Sequence, residues 1–318
     1  MRALPKLLTV VVAGTMLPLT ATSANAEPQV EPHSAPYIDV MQDAPTMPEV
    51  AEATGQLHYT AAFVLGSAQG CTPMWGGERP VDDAGIIGQF NTIRDMGGSV
   101  TVATGGAMGP YLENACGSAD ELLTAYKTIL DVTGSNSLDV DVESNIEHDM
   151  VNEALARLQD ERGTQVSYTL RVQGDDYGLD PYSVQVLESA AAHGVDVLVN
   201  PMTMEFGSDK PWGDAVIAAA ESVLGQMSEI WPELGDAELK ARLGVTPMIG
   251  ANYNGKIFNQ DHARQLVDWA TANRIGMLSF WSAGRDNGSC PGGAVSPTCS
   301  SIEQTEYEFT NIFKPFGA

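Results

Sequence analysis

The chain has 318 residues, of which 43% are hydrophobic and 18% are charged, so it can bury a large core and is not a disordered protein. Its 41 acidic residues outnumber 16 basic ones, and the formal net charge is -25 at pH 7. Such a surface repels polyanions, which excludes nucleic acid and an anionic membrane as partners and favours a neutral or cationic ligand.

The chain begins with the pattern of a secretory signal peptide, which we predict over residues 1–26. Arg2 and Lys6 precede an apolar run at residues 7–17, and Ala24-Asn25-Ala26 offers small residues for cleavage. A transmembrane helix is the alternative, but a glycine and a proline break the run, which is too short to span a bilayer. We therefore expect a secreted, extracellular protein.

A short flexible leader is predicted for residues 27–36, because this segment is polar and rich in proline. One domain is then predicted over residues 37–318. Nothing in the pattern of this stretch marks a linker or a second domain.

Short apolar runs rich in Val, Ile and Thr alternate with amphipathic stretches throughout this domain, which is typical of βα units around a parallel sheet. The eight predicted strands are residues 37–41, 57–65, 99–104, 137–143, 165–172, 195–204, 243–249 and 276–281. The predicted helices include residues 49–54, 82–96, 118–132, 180–193, 214–227, 261–272 and 301–313.

Eight strand-helix repeats predict an α/β fold of the (β/α)8 TIM-barrel type with a single domain. A doubly wound open sheet is the competing architecture. It would normally have a glycine-rich phosphate turn after the first strand, and residues 37–48 contain no glycine.

The fourth predicted strand, residues 137–143, alternates aliphatic and acidic side chains and so places Asp139, Asp141 and Glu143 on one face. In a barrel the aliphatic face packs against helices, which turns the acids inward, where unpaired carboxylates are costly to bury. A solvated edge strand is the alternative. A barrel has no edge, however, and the acids approach the C-terminal end of the strand, where barrel active sites lie.

Residues two apart on a strand are about 6.6 Å apart, so the three carboxyls can interact. An ionised neighbour raises the pKa of Glu143, which keeps this side chain protonated as a general acid. Asp139 and Asp141 are the supporting pair. Acid catalysis at a leaving oxygen indicates glycoside hydrolysis.

In these features the chain resembles secreted bacterial chitinases of glycoside hydrolase family 18, particularly those of actinobacteria. The D-x-D-x-E core of the family signature is present as Asp139, Asp141 and Glu143. Further matches are Gly105-Gly106, Met202-Thr203-Met204, the run VTPMIG at residues 245–250 and the run LSFWS at residues 278–282.

The resemblance implies a retaining mechanism in which the 2-acetamido oxygen of the sugar is the nucleophile. Glu143 would protonate the glycosidic oxygen, Asp141 would orient the acetamido group, and Asp139 would hold the proton balance behind it. Trp281 would form the floor under the sugar, although a plain core position is the alternative. The implied enzyme is an endo-acting chitinase that binds chitin or N-acetylglucosamine oligosaccharides as a monomer, without a cofactor.

Four positions depart from the family pattern. The leading aspartate of the longer signature is Asn136, at the base of the strand, where we expect only a structural effect. A serine is replaced by Ala103, which removes a hydroxyl that could bond the buried aspartates. On the sixth strand, Met204 and Glu205 replace a tyrosine and an aspartate that contact the sugar.

Other side chains are candidates for the lost hydrogen bond to the acetamido group, namely Tyr168, Asn200 and Tyr253. Met202 and Met204 either contact the substrate or fill the barrel. We also expect that exchanging residues 204 and 205 for the family's tyrosine and aspartate raises kcat, unless another side chain already occupies that place.

Two more tryptophans, Trp75 and Trp212, lie in predicted loops on the same face. They either stack on further sugars or cap the core. We include Trp75 among the substrate-binding candidates.

Four cysteines in an exported chain favour two disulfides over a metal site. Cys290 and Cys299 close a short loop rich in proline and glycine, and Cys71 and Cys116 lie in glycine-rich segments after predicted strands. We predict these two pairs. No C-x-x-C or H-x-x-x-H spacing is present, so we expect no metal.

Two other functions fit the same pattern. One is the same chemistry on glycoprotein or peptidoglycan glycans, as in an endo-β-N-acetylglucosaminidase. The other is a weakly active or inert chitin-binding protein on the same barrel, against which the acid at position 143 argues.

Overall fold

The computed structural model describes Met1 and residues 32–317. The predicted signal peptide beyond Met1, and residues 27–31 of the predicted leader, lie outside the described residues. Residues 32–317 fall within one unit of the fold. No helix within these residues is long and apolar enough to cross a membrane.

Strands and helices alternate along the described chain. The strands are β1 (His33–Ser34), β2 (Tyr37–Asp39), β3 (His58–Ser67), β4 (Gly70–Trp75), β5 (Arg79–Pro80), β6 (Ser99–Gly105), β7 (Ser137–Val142), β8 (Gln165–Gly174), β9 (Gly178–Leu179), β10 (Val197–Met202), β11 (Gly244–Val245), β12 (Gly250–Ala251), β13 (Ile257–Phe258) and β14 (Met277–Leu278). The α-helices are α1 (Met47–Thr54), α2 (Ala84–Asp95), α3 (Leu112–Ala115), α4 (Ala119–Thr133), α5 (His148–Arg162), α6 (Pro181–His193), α7 (Trp212–Ile230), α8 (Asp236–Ala241), α9 (Gln260–Asn273) and α10 (Glu308–Phe313).

The parallel strands form a ring through eight positions, which confirms the predicted (β/α)8 barrel. Parallel pairing runs from β2 through β3, β6, β7 and β8 to β10. Parallel bridges from Val199 to Leu243 and from Met202 to Thr246 continue the ring to the segment that contains β11. From there β11 pairs with β14, and β14 pairs with β1, which precedes β2 in the same extended segment.

The prediction of a flexible leader over residues 27–36 is wrong at its C-terminal end. Residues 33–34 form β1, and the N–H of Ala35 donates to the carbonyl oxygen of Leu278 at 2.8 Å. Ser34 and Ala35 are buried. A polar, proline-rich composition does not exclude this strand, because its place in the ring is held by backbone hydrogen bonds that are independent of side-chain type.

The core lies between the ring and the surrounding helices. The aliphatic side chains of β7 are buried, as are Leu122, Tyr126, Ile129 and Leu130 of α4, whose spacing places them on one helical face. Each fully buried leucine contributes about 1.5–3 kcal/mol to folding. Ser118 caps α4 as predicted, and its hydroxyl accepts from the N–H of Glu121 at 3.3 Å.

Additional short strands lie outside the eight-strand pattern. The chain turns back after β3 into β4 and β5, after β8 into β9, and between β12 and β13, each time as an antiparallel pairing. These excursions follow the C-terminal ends of barrel strands and therefore border the face on which barrel active sites lie. The sequence pattern did not predict them.

Both predicted disulfides are present. Cys71 pairs with Cys116, and Cys290 pairs with Cys299. The first joins β4 to the residue that ends α3, so it ties together the loops that follow β3 and β6.

Candidate active site

The three acids of β7 lie where the alternation predicts them. In the parallel register, Asp139 is beside Ser167 and Asp141 is beside Thr169 on β8. Asp139 and Asp141 are 1% and 4% exposed, whereas Glu143, one residue past the strand, is only partly buried. The acids therefore form a line that runs from the interior of the ring to its C-terminal mouth.

Asp139 is held by hydroxyl groups from two sides of the ring. Its Oδ2 accepts from the hydroxyl of Tyr37 at 2.8 Å, and its Oδ1 accepts from Ser167 at 2.5 Å and Thr169 at 3.0 Å. Burial raises the pKa of Asp139 to about 6, although these donors oppose the rise. Tyr37, Ser167 and Thr169 thus supply hydroxyls to Asp139, although Ala103 lacks the hydroxyl of the serine that the family has at that position.

Asp141 has an unusual environment for a buried carboxyl. Its Oδ1 has no hydrogen-bond partner among the described residues. Burial, followed by the charges of Glu143 and Asp139, raises the pKa of Asp141 well above its ordinary value. The ionised form of this side chain is therefore disfavoured, and one of its buried oxygens is available to a ligand.

The Gly105-Gly106 pair allows β6 to approach Asp141. A Cβ at Gly105 would lie 2.0 Å from the Asp141 carbonyl oxygen, and Gly105 has φ +84°. The N–H of Gly106 donates to the same oxygen at 3.0 Å. No residue with a side chain fits at position 105, which explains the glycine noted in the sequence.

Glu143 is fixed through its backbone by two residues that the sequence analysis missed. Its N–H donates to the hydroxyl of Tyr111 at 2.9 Å, and its carbonyl accepts from Nη1 of Arg171 at 3.2 Å. Burial raises the pKa of the Glu143 carboxyl, and the charge of Arg171 opposes the rise. The predicted rise in the pKa of Glu143 is confirmed, but its cause is burial. The neighbouring carboxylates raise the pKa of Asp141 instead.

Aromatic rings lie over the interior end of the acids. Trp281 stacks on Phe63 with ring centroids 5.7 Å apart and an interplanar angle of 16°, and it lies 5.9 Å from the ring of Tyr37. Tyr37, Ala62 and Ala103 form a small buried cluster beneath them. Trp281 is partly exposed, so one side of the indole is accessible from the mouth.

The prediction for Tyr168 is wrong. Its ring is fully buried, and its hydroxyl donates to Oδ1 of Asn152 on α5 at 2.8 Å. Because Ser167 and Thr169 face the interior of the ring, the residue between them must face the helices.

The prediction for Trp75 is also wrong. Trp75 is fully buried in β4, where its Nε1 donates to the carbonyl of Val81 at 3.1 Å and its ring packs against Phe90. The antiparallel turn from β3 into β4 brings this ring under the hairpin rather than onto the open face. Trp212 is likewise buried and packs against Phe206 at 4.7 Å.

The prediction for Asn200 is wrong too, because the side chain is buried and both ends of its amide are engaged inside the ring. It is fully buried in the interior of the ring, where its Nδ2 donates to Thr169 and its Oδ1 accepts from Thr246, each at 2.8 Å. Asn200 therefore supports a residue that bonds Asp139. Met202 is nearly buried on β10, and Met204 is partly exposed beyond the end of that strand.

Glu205 makes a different contact from the predicted one. Its Oε1 accepts from the N–H of Tyr253 and its Oε2 from the N–H of Asn254, each at 2.8 Å. Both oxygens thus hold the turn between β12 and β13. The Tyr253 side chain on that turn is 76% exposed, so its ring remains accessible.

Among the described residues, no group of three His, Cys, Asp or Glu side chains is placed to hold a metal ion. A (β/α)8 barrel with a line of carboxyls of raised pKa at the end of its fourth strand, beside a partly exposed tryptophan, is typical of the class of barrel glycosidases.

The comparisons with known proteins agree with that class. No family model matches the chain. A solved structure, of catalytic-site mutants of active domain 2 of a thermostable chitinase from Pyrococcus furiosus complexed with chito-oligosaccharides, is 35% identical with a TM-score of 0.83. The match covers 89% of this chain and 93% of that one. The chain belongs to the chitinase family of this domain.

Two curated relatives are longer proteins. The chain is 30% identical over 310 residues to a probable bifunctional chitinase/lysozyme of Escherichia coli, covering 89% of this chain and 34% of that protein. It is 29% identical over 277 residues to endochitinase 11 of Metarhizium anisopliae, covering 79% of this chain and 52% of that protein. Glycoside hydrolase family 18 structures at 11% to 16% identity share the fold alone.

Proposed function

We propose that this protein is an endo-acting chitinase, which hydrolyses β-1,4-linked N-acetylglucosamine polymers. The observation that carries the proposal is the unpartnered, buried Oδ1 of Asp141, between Asp139 and Glu143 in the mouth of the ring. An oxygen in this position costs free energy unless a ligand donates to it, and the N–H of a 2-acetamido group is such a donor. The Pyrococcus furiosus domain binds chito-oligosaccharides, which supports the same ligand class here.

Glu143 is the general acid in this proposal. Its carboxyl proton moves to the glycosidic oxygen as the bond from that oxygen to the anomeric carbon breaks, and the acetamido oxygen bonds to the same carbon. The ionised Glu143 then takes a proton from water, whose oxygen displaces the acetamido oxygen. Two displacements at one carbon retain its configuration.

Asp141 orients the acetamido group and stabilises the cation that forms on it. For that second role Asp141 must lose its proton, and the raised pKa caused by burial and neighbouring charges opposes the loss. Asp139 can take up this proton, because its own pKa is raised to about 6. The hydroxyls of Tyr37 and Ser167 keep the acceptor in place.

The sugar at the cleavage point rests on Trp281 in this proposal, because the C–H face of a sugar ring stacks on an indole. Met202 and Met204 line the adjoining wall, and Tyr253 offers an exposed ring further along the mouth.

The decisive experiment is hydrolysis of the N-acetylglucosamine tetramer by the purified protein, followed by mass spectrometry. Cellotetraose is the matched control, because it lacks the acetamido nucleophile. Cleavage of the first and not the second supports the proposal. Cleavage of only a glycoprotein or of peptidoglycan strands would replace the substrate, and binding without turnover would show an inert chitin-binding protein.

We also propose that the protein is exported, with the signal peptide removed after residue 26, and that it is a monomer. In these respects it would resemble the secreted chitinases of actinobacteria. Two disulfides support an oxidising compartment. Edman sequencing of protein recovered from the culture medium, which should begin at Glu27, tests the cleavage site, and light scattering tests the oligomeric state.

A further inference from the structure

Arg171 continues a line of polar side chains on β8 that runs parallel to the acids of β7. The register pairs Asp139 with Ser167 and Asp141 with Thr169, and the last pair is Val142 with Leu170. The next residues on the two strands are Glu143 and Arg171. Nη1 of Arg171 indeed donates to the Glu143 carbonyl oxygen at 3.2 Å. The acid at the mouth is therefore placed beside a guanidinium where the two buried acids are placed beside hydroxyls.

Asp180 holds the other side of that guanidinium. Its Oδ2 lies 2.9 Å from Nη2 of Arg171, and its N–H donates to the Arg171 carbonyl oxygen at 3.0 Å. The remaining oxygen, Oδ1, accepts from the N–H of Ser183 at 2.7 Å and caps α6. Asp180 is thus fixed at three points, and it fixes Arg171 in turn.

Among the described residues, Arg171 is the cation whose charge acts on Glu143. Asp141 lies on the same strand, and the hydroxyl of Tyr111 approaches from the loop after β6. Beyond Arg171 lie Asp180 and, on the first turn of α6, Tyr182, whose hydroxyl bonds the backbone of Ile146. On the far side of β8, Met202 pairs with Arg171 in the register and carries no charge.

We propose that Arg171, held by Asp180, is a positioning residue that sets the pH range over which Glu143 carries the proton it donates. The proposal rests on the function proposed above, in which Glu143 is the acid. A cation near a carboxyl favours its ionised form and lowers the pH at which the acid is lost. Asp180 partly cancels this charge. The ion pair therefore tunes the alkaline limb of the pH–rate profile, in agreement with the opposing effect of Arg171 on the Glu143 pKa.

The test uses two substitutions whose expected effects have opposite signs. Arg171→Met removes the cation and keeps the aliphatic stem, so the alkaline limb of kcat/KM on the N-acetylglucosamine tetramer should move up by roughly half a pH unit. Asp180→Asn leaves Arg171 uncompensated, so the limb should move down by roughly a third of a pH unit. Asparagine is also a good N-cap, so α6 keeps its start.

Two kinds of control separate charge from structure. Arg171→Lys keeps the charge and should leave the limb near that of the wild type. Arg242 and Asp196 form an ion pair with a distance of 2.7 Å. They precede β11 and β10, so the pair lies at the opposite end of the ring from the mouth. Arg242→Met and Asp196→Asn make the same charge changes there and should leave the limb in place.

Shifts of opposite sign for Arg171→Met and Asp180→Asn support the proposal, and no shift or shifts of the same sign overturn it. If Arg171→Met does not fold, the downward shift of Asp180→Asn and the unchanged Arg171→Lys profile decide the outcome. Glu143→Gln tests the underlying function separately, since full activity of that variant would remove Glu143 as the acid whatever the limbs do.

Discussion

Two walls of the barrel mouth hold their polar side chains in different ways. The acid wall, formed by β6, β7 and β8, places Asp139 and Asp141 beside Ser167 and Thr169 by strand register, and the two hydroxyls donate to Asp139. On the hairpin wall, formed by residues 202–207 and 250–258, Glu205 bonds backbone N–H groups of a turn. Polar groups set by register are therefore predictable from alternation, whereas groups set by a turn depend on the path of the loop.

This comparison predicts that acid-wall substitutions change chemistry and hairpin-wall substitutions change shape. The largest expected effect is that of Glu143→Gln. The amide cannot donate a proton to the leaving oxygen, so kcat on the N-acetylglucosamine tetramer should fall by about 10²–10⁴-fold while the fold and ligand binding persist. Steady-state kinetics and calorimetric binding measure the two parts, and a variant that keeps more than a tenth of kcat would show that Glu143 is not the acid.

Asp141→Asn should have the next largest effect on turnover. The amide keeps the size of the side chain, but it cannot carry the negative charge that stabilises the acetamido cation, so kcat should fall by about 10²-fold or more. Turnover of the tetramer, with Asp176→Asn as an exposed control, measures this loss. Wild-type activity in Asp141→Asn would contradict the proposed substrate assistance.

Stability should depend on pH through Asp139. Its pKa is raised from 3.8 to about 6, so the folded state holds a proton that the unfolded chain has released. The stabilisation is complete below pH 3.8 and is lost as pH rises through about 6, which amounts to roughly 3 kcal/mol. Urea unfolding at pH 4 and pH 7.5 should show this loss in the wild type and a smaller one in Asp139→Asn. Equal losses in both proteins would assign the pH dependence to other groups.

The smallest effect is expected on the hairpin wall, where Glu205 bonds the backbone of a turn instead of the predicted sugar. Aspartate is one methylene shorter than Glu205 and does not reach both N–H groups of the turn. Glu205→Asp should therefore speed amide exchange at Tyr253 and Asn254 by about tenfold and leave kcat within about twofold. Exchange followed by mass spectrometry, with Glu233→Asp as the exposed control, tests this. A rise in kcat would show that residue 205 acts on the substrate and not only on the turn.

The sequence predicts the acids of the acid wall because the alternation within a single strand is enough to place them. The alternation of residues 137–143 places all three acids, and the glycine pair follows from the close approach of β6. The same alternation in residues 165–171 places Ser167, Thr169 and Arg171 on the interior face, and applied there it identifies Arg171 and excludes Tyr168.

Other parts of the site have no such signal. Tyr111 reaches Glu143 from a loop, and Phe63 stacks on Trp281 past the intervening segment that contains β1 and β2, so neither contact follows from a local pattern. The sequence predicts Trp75 on the open face because the antiparallel turn into β4, which buries this ring, is a tertiary feature with no local signal. Asn200 lies at an interior position, but its depth in the ring depends on the tilt of all eight strands.

The position of β1 has a consequence for the order in which the molecule can be assembled. The Ser279 hydroxyl donates to the carbonyl oxygen of Ala35, 244 residues earlier in the chain. While a ribosome makes the polypeptide, the growing sheet has two unpaired edges until β14 emerges, and contacts this distant in sequence form slowly. Closure of the ring is thus one of the last steps in the folding of the described residues, and until then both open edges must be kept from pairing with other chains.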